Sequence, residues 1–232
     1  MSDTLKEKII YLVKAISVIL LFFASSYFKV FFAVILRIDL KHISDLNFLI
    51  LTVLSDIVLF FLFYFIYRKD LKREFKRFKD NFAKCFDTGL KYWLIGLGIM
   101  MVSNIAISLF TSLSNSTNEQ NVQSLIPASP ILMFIAAGIF APILEEITFR
   151  KTFQTIFKNK WVFAIISFLV FGYLHVMNSS NPLELLYIVP YGALGFVFAL
   201  ADYETDTVFT SIMMHMIHNS ILICLSLLWE KF

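Results

Sequence analysis

The 232-residue chain is 59% hydrophobic and only 16% charged, with a formal net charge of +3 and a mean hydropathy of +0.77. Soluble domains carry roughly 25% charged residues, so this chain has too few charges to cover a water-facing surface. Its two cysteines, Cys85 and Cys224, are far apart, a spacing that suggests neither a disulfide framework nor a cysteine-based zinc site.

The apolar residues fall in long runs and predict an all-α polytopic integral membrane protein, a bundle of about seven to eight transmembrane helices. In chain order the expected spans are 9–36, 46–67, 92–112, 130–157, 161–178, 183–200 and 207–228. The first is too long for one simple crossing and contains Lys14 and Lys29. It is expected to tilt, or to end before Lys29 and leave an interfacial piece, and an eighth span would be sought there. It exceeds a signal-peptide core and lacks a small-x-small cleavage pattern, so it reads as an uncleaved first helix.

Between the second and third spans, Arg68–Lys91 holds nine Lys/Arg against four acidic residues. Apolar spans flank it on both sides, so it reads as a positive-inside loop rather than a nucleic-acid surface. Residues 113–129 contain no Lys or Arg, whereas 151–160 contains Lys151, Lys158 and Lys160. Simple alternation then places the N-terminus on the inner side of a cell membrane and the C-terminus outside. Residues 1–129 supply N-terminal helices and the basic loop, and 130–228 a core that carries the notable polar residues, within one membrane domain.

Ionisable residues inside a span must face protein or water, and each is a functional-site hypothesis. Glu145, Glu146, His175, His215 and His218 stand out, together with Asn219. Taken singly, paired glutamates can mark an interfacial helix end, and a lone histidine is often a structural partner. Depth argues for more. If 130–157 and 161–178 form a hairpin turning at 158–160, Glu146 lies roughly 20 Å and His175 roughly 22 Å from the turn. Ser211, His215 and Asn219 recur every fourth residue and share one helix face. Glu146 and Arg150 are spaced for an ion pair with the acid N-terminal, and one carboxylate of the pair could be held by Arg150 while the other stays free to take a proton. Pro142 cannot donate to the carbonyl of Gly138, so a kink is expected just before the glutamates.

A carboxylate and an imidazole converging on one water could activate it, while His215 and Asn219 could donate hydrogen bonds to an oxyanion. That set suffices for amide hydrolysis. There is no G-x-S-x-G elbow and no H-E-x-x-H pattern. Two histidines and a glutamate could still hold a divalent metal such as zinc with an open position, so the metal question stays open at this point.

Glu145-Glu146-Ile-Thr-Phe-Arg150 resembles the E-E-x-x-x-R motif of the CAAX-protease and bacteriocin-processing (CPBP, or Abi) family of intramembrane proteases. Phe171-Gly-Tyr-Leu-His175 resembles its F-x-x-x-H motif, and His215-Met-Ile-His218-Asn219 its H-x-x-x-N motif. The resemblance covers about 130–225, and the first three spans carry no motif. It implies an intramembrane endopeptidase in which Glu146 is the general base and His175 shares the attacking water. His215 and Asn219 would stabilise the oxyanion, Glu145 and Arg150 would organise the site, and Phe171 would pack against it. It assigns no role to His218, and it favours a metal-free, glutamate-type mechanism and a count of eight spans.

The expected partners are a peptide or membrane-associated protein substrate and the lipid bilayer. Relatives implied by the resemblance cleave prenylated proteins or act in bacteriocin immunity and maturation, and the composition looks bacterial. The alternatives are a non-catalytic immunity protein that binds a bacteriocin-like peptide, and a proton-coupled transporter. Against the latter, the charged motifs cluster in one half and no paired broken helices recur in matching halves.

Overall fold

The computed structural model describes residues 3–229. Among them five helices are long and apolar enough to cross a membrane: Asp45–Asp80, Phe82–Phe110, Pro130–Ile156, Pro182–Thr205 and Phe209–Leu228. A sixth span forms if the bent pair Leu5–Phe23 and Ser25–Leu36 is counted as one. The chain is thus a multi-pass helical membrane protein with five to six such spans, and the expectation of seven to eight is not reached.

Two segments account for the difference. The helix expected over 161–178 runs only from Lys160 to Leu174, 15 residues, or about 22 Å at 1.5 Å per residue, short of a roughly 30 Å hydrocarbon layer. The polar stretch 178–182 follows the turn at its end and cannot prolong it. The over-long first span bends by 50° at Ala24. The bend sits at the Ser25–Ser26 pair, a recognised cause of kinks, and the Ser55 hydroxyl donates to the Ser25 carbonyl at 3.0 Å.

Local sequence explains where several elements start. Ser129 caps the Pro130 helix by accepting from the Leu132 N–H, and Pro130 occupies the first turn, where its missing N–H has no cost. Asn159 accepts from Trp161 and Val162, and Asn181 from Leu183, at the next two helical starts. The helix Ser25–Leu36 ends at Arg37, which adopts the left-handed conformation with φ 55°.

The chain divides into two compact units. The first comprises residues up to 73, 125–156 and from 215 onward; the second comprises 74–124 and 157–214. The helices Asp45–Asp80 and Phe209–Trp229 contribute residues to both. In the first unit Val18, Leu59, Phe63, Tyr67, Phe149 and Arg150 are buried. Phe22 packs edge-on against Phe149 at 5.0 Å, and the hydroxyls of Tyr67 and Thr152 are 3.1 Å apart.

In the second unit, close backbone approach joins Lys160–Leu174 to Pro182–Thr205. A Cβ on Gly172 would lie 2.5 Å from the Ile188 carbonyl oxygen, one on Gly192 2.8 Å from that of Phe168, and one on Gly195 2.7 Å from that of Ser167. Small residues allow such contact between membrane helices, where apolar burial gives no advantage over lipid. Elsewhere large apolar side chains face outward, Val102 at 69% and Phe110 at 87% exposure, as a lipid-facing surface requires.

Gly195→Ala is expected to lower stability by about 1–3 kcal/mol through this overpacking, whereas Gly98→Ala, which meets nothing within 4 Å, should be neutral or slightly stabilising. Thermal unfolding in one detergent would compare them; equal midpoints would refute the close-contact account.

Candidate active site

The run Pro130–Ile156 is one continuous helical rod built from alternating α and π turns. Phe134–Phe140 is π-helical, Ala141–Glu146 is α-helical, Ile147–Lys151 is π-helical, and Thr152–Ile156 returns to α. The glutamate pair therefore sits at the end of a single α segment between two widened ones. Wide turns of this kind are rare and re-aim the side chains that follow them.

Pro142 supplies a reason for the first wide turn. The Ala141 N–H bonds back five residues to the Ala136 carbonyl. In that register the Ala137 carbonyl should accept from residue 142, which as proline has no N–H. The Asn219 side-chain amide donates to this Ala137 carbonyl at 2.8 Å instead. A side chain from the last helix thus meets a backbone need that a proline in another helix created. The second wide turn is braced by threonines: Thr148 Oγ1 donates to the Leu144 carbonyl at 2.6 Å, and Thr152 Oγ1 to that of Ile147 at 3.1 Å.

Six of the residues singled out in the sequence, Glu145, Glu146, Arg150, His215, His218 and Asn219, fall in the first unit. Glu146 is fully buried; its Oε2 lies 3.1 Å from Arg150 Nε and its Oε1 2.8 Å from His215 Nδ1. Both oxygens of this carboxylate are engaged. Arg150 is equally buried, with 0% side-chain exposure. Glu145 is half-buried and lies within electrostatic reach of His215, Glu146 and Arg150. Asn219 is four residues beyond His215 on one helix face. His218 is buried within electrostatic reach of His215.

His175 belongs to the second unit and caps the end of Lys160–Leu174. Its Nδ1 lies 2.8 Å from the Phe171 carbonyl oxygen, and its ring stacks on Tyr191 at 4.4 Å and approaches the Phe171 ring at 4.5 Å. Ser211 is also in that unit: its hydroxyl donates to Asp202 at 2.6 Å and its N–H to the same carboxylate at 2.9 Å. The hydroxyl is thereby occupied in fixing a helix start.

A carboxylate only accepts hydrogen bonds, so the contact at Oε1 makes His215 Nδ1 the proton-bearing nitrogen and leaves Nε2 for other work. A buried acid that orients a working imidazole makes the same kind of contact. Among the described residues no three of His, Cys, Asp and Glu are grouped so as to hold a metal ion, so no catalytic step is derived through one.

Sequence reading passed over Asp56. It lies within electrostatic reach of both Lys29 and Glu145, and the Lys29 ammonium sits over the Phe48 ring at 4.7 Å. The signal was present: Asp56 is the one acidic residue within the apolar run 46–67.

Residues 127–221 match the family model described as "Type II CAAX prenyl endopeptidase Rce1-like". The chain is 30% identical over 149 residues to YdiL of Bacillus subtilis, a protein named as a membrane peptidase, covering 63% of this chain and 52% of that one. It is 28% identical over 157 residues to the UPF0177 protein YaiH of Lactococcus lactis, covering 60% and 63%, and 30% identical over 169 residues to an uncharacterized protein of Mycoplasma capricolum, covering 68% and 48%. The chain thus spans less than two thirds of the length of each of these bacterial relatives. No solved structure gives a significant match. The matches link the chain to the CAAX-protease superfamily.

Removing one member of a fully buried ion pair strands the other, so Glu146→Gln should cost about 3 kcal/mol or more of stability. Glu146→Gln combined with Arg150→Met should recover part of that loss in equilibrium unfolding. Asn219→Ala should cost about 1–3 kcal/mol by orphaning the Ala137 carbonyl. In a Pro142→Ala background, where residue 142 regains an N–H, the same change should cost measurably less. Additive costs in that double-mutant cycle would disprove the link between Asn219 and the proline.

Proposed function

We propose that this protein is an intramembrane peptide hydrolase in which a glutamate activates water. The observation that carries the reading is the buried Glu146 carboxylate held between Arg150 and His215, with a second, less engaged carboxylate beside it. A structural ion pair needs neither the histidine nor the adjacent glutamate.

With both oxygens of Glu146 occupied, Glu145 is the better general base, although the motif resemblance gives that part to Glu146. Glu145 takes a proton as the water oxygen attacks the scissile carbonyl carbon. The carbonyl π electrons move to oxygen and form an oxyanion. His215 Nε2–H in the charged ring and the second amide hydrogen of Asn219 donate to it. Collapse of the tetrahedral intermediate breaks the C–N bond, and Glu145 returns its proton to the leaving amine. Glu146 and Arg150 position His215. The matching family model and YdiL's name support a peptidase, and the membrane-spanning helices support a membrane-anchored peptide or protein as substrate. The N-terminus is proposed to face the cell interior, on the placement of the basic loop.

The test is a library of membrane-anchored peptides offered to the reconstituted protein, with new termini read by mass spectrometry and a chelator in a parallel sample. Glu145→Gln should lower turnover by about 10²–10⁴-fold while leaving the unfolding midpoint near wild type. Products that persist with Glu145→Gln but vanish with a folded Glu146→Gln would return the base to Glu146. Loss with His175→Ala at unchanged stability would add that residue to the set, and products formed equally by all variants would refute the reading.

A further inference from the structure

A cavity of about 510 Å³ lies in the first unit, lined by Glu7, Ile10, Tyr11, Lys14, Phe65, Ile66, Arg68 and Lys69. It takes no part in the site described above and does not depend on the peptidase reading. Its lining divides by chemistry. Lys14, Arg68 and Lys69 supply three cations against the one carboxylate of Glu7, while Ile10, Phe65 and Ile66 are apolar.

The polar end is built on a buried acid. Asp70 is 3% exposed and accepts from the Tyr11 hydroxyl, Lys14 Nζ and Arg73 Nη2, each at 3.0 Å. Those three bonds fix Lys14 and Tyr11 in the cavity wall and consume the charge of Asp70. Lys14 also lies over the rings of Tyr11 and Tyr67, at 5.0 and 5.5 Å. Arg68 and Lys69 are exposed. The lining therefore keeps an excess of positive charge.

The apolar end continues down the helix. Phe65 is 65% exposed, and Phe61, one turn earlier, is 52% exposed. Along Asp45–Asp80 no charged residue stands between Asp56 and Arg68, so Arg68 marks the end of the apolar run and the level of the membrane–water boundary. A cation cluster at that level, directly above exposed aromatic surface, matches a molecule that carries a phosphate and acyl chains together. A free anion would leave Phe65 and Ile66 without a partner.

We propose that this cavity is a binding site for an anionic phospholipid, with its phosphodiester between Lys14, Arg68 and Lys69 and an acyl chain along Phe65 and Phe61. Basic pockets between membrane helices bind acidic headgroups in this way.

Native mass spectrometry of the full chain, titrated with phosphatidylglycerol or phosphatidylcholine, tests this, with inorganic phosphate as competitor in a parallel series. The wild type should prefer phosphatidylglycerol by about tenfold or more. Arg68→Gln combined with Lys69→Gln should remove that preference, while Lys76→Gln with Lys84→Gln, an equal charge change outside the cavity, should retain it. Equal retention of the two lipids by wild type, or an unchanged preference in the Arg68/Lys69 variant, would overturn the proposal. Displacement of the lipid by inorganic phosphate would overturn it too, by showing a simple anion site.

Discussion

A carboxylate taken fully out of water costs several kcal/mol unless charge and hydrogen bonds replace the lost hydration. Glu146 meets that demand with Arg150 on one oxygen and His215 on the other. Much of the first unit is arranged so that these three side chains can meet. Arg150 follows Glu146 by four residues in the same rod, so their encounter is local. His215 comes from the last helix, so the pair holds two distant parts of the chain in one register. The tautomer of the histidine follows from the carboxylate it faces.

The helix that carries the glutamates departs from α geometry on both sides of them. Pro142 removes one N–H, the backbone widens by one residue per turn, and in that widened register the Ala137 carbonyl loses its partner. Asn219 supplies the missing donor. His215 and Asn219, one turn apart, thus grip the same rod at two points, one through a side-chain ion pair and one through its backbone. In a bilayer, where water cannot rescue an orphaned carbonyl, this second grip is needed for the proline to be tolerated.

The acids of the second unit do different work. Glu184 accepts from the N–H and hydroxyl of Thr117, Asp202 from those of Ser211, and Glu74 from the N–H of Val208. Each satisfies backbone donors at a helix start, where a negative charge also complements the helix dipole. Glu146 instead faces two ionisable side chains, Arg150 and His215.

The long apolar runs determined that the chain is helical and membrane-embedded, because a continuous run of that length satisfies its backbone within a bilayer as a helix. Spacing determined the Glu146–Arg150 pair and the shared face of His215 and Asn219, since both are local consequences of helical periodicity. Span counting was less legible: hydropathy does not register the bend at Ala24 or the early end at Leu174, which depend on backbone hydrogen bonding and neighbouring turns. Only tertiary structure decided which glutamate His215 holds, because Glu145 and Glu146 are adjacent in sequence and differ by about 100° around the helix axis. It also decided that Asn219 meets the Ala137 carbonyl. That contact depends on a widened turn in one helix and the approach of another 82 residues away, a pairing that no local pattern encodes.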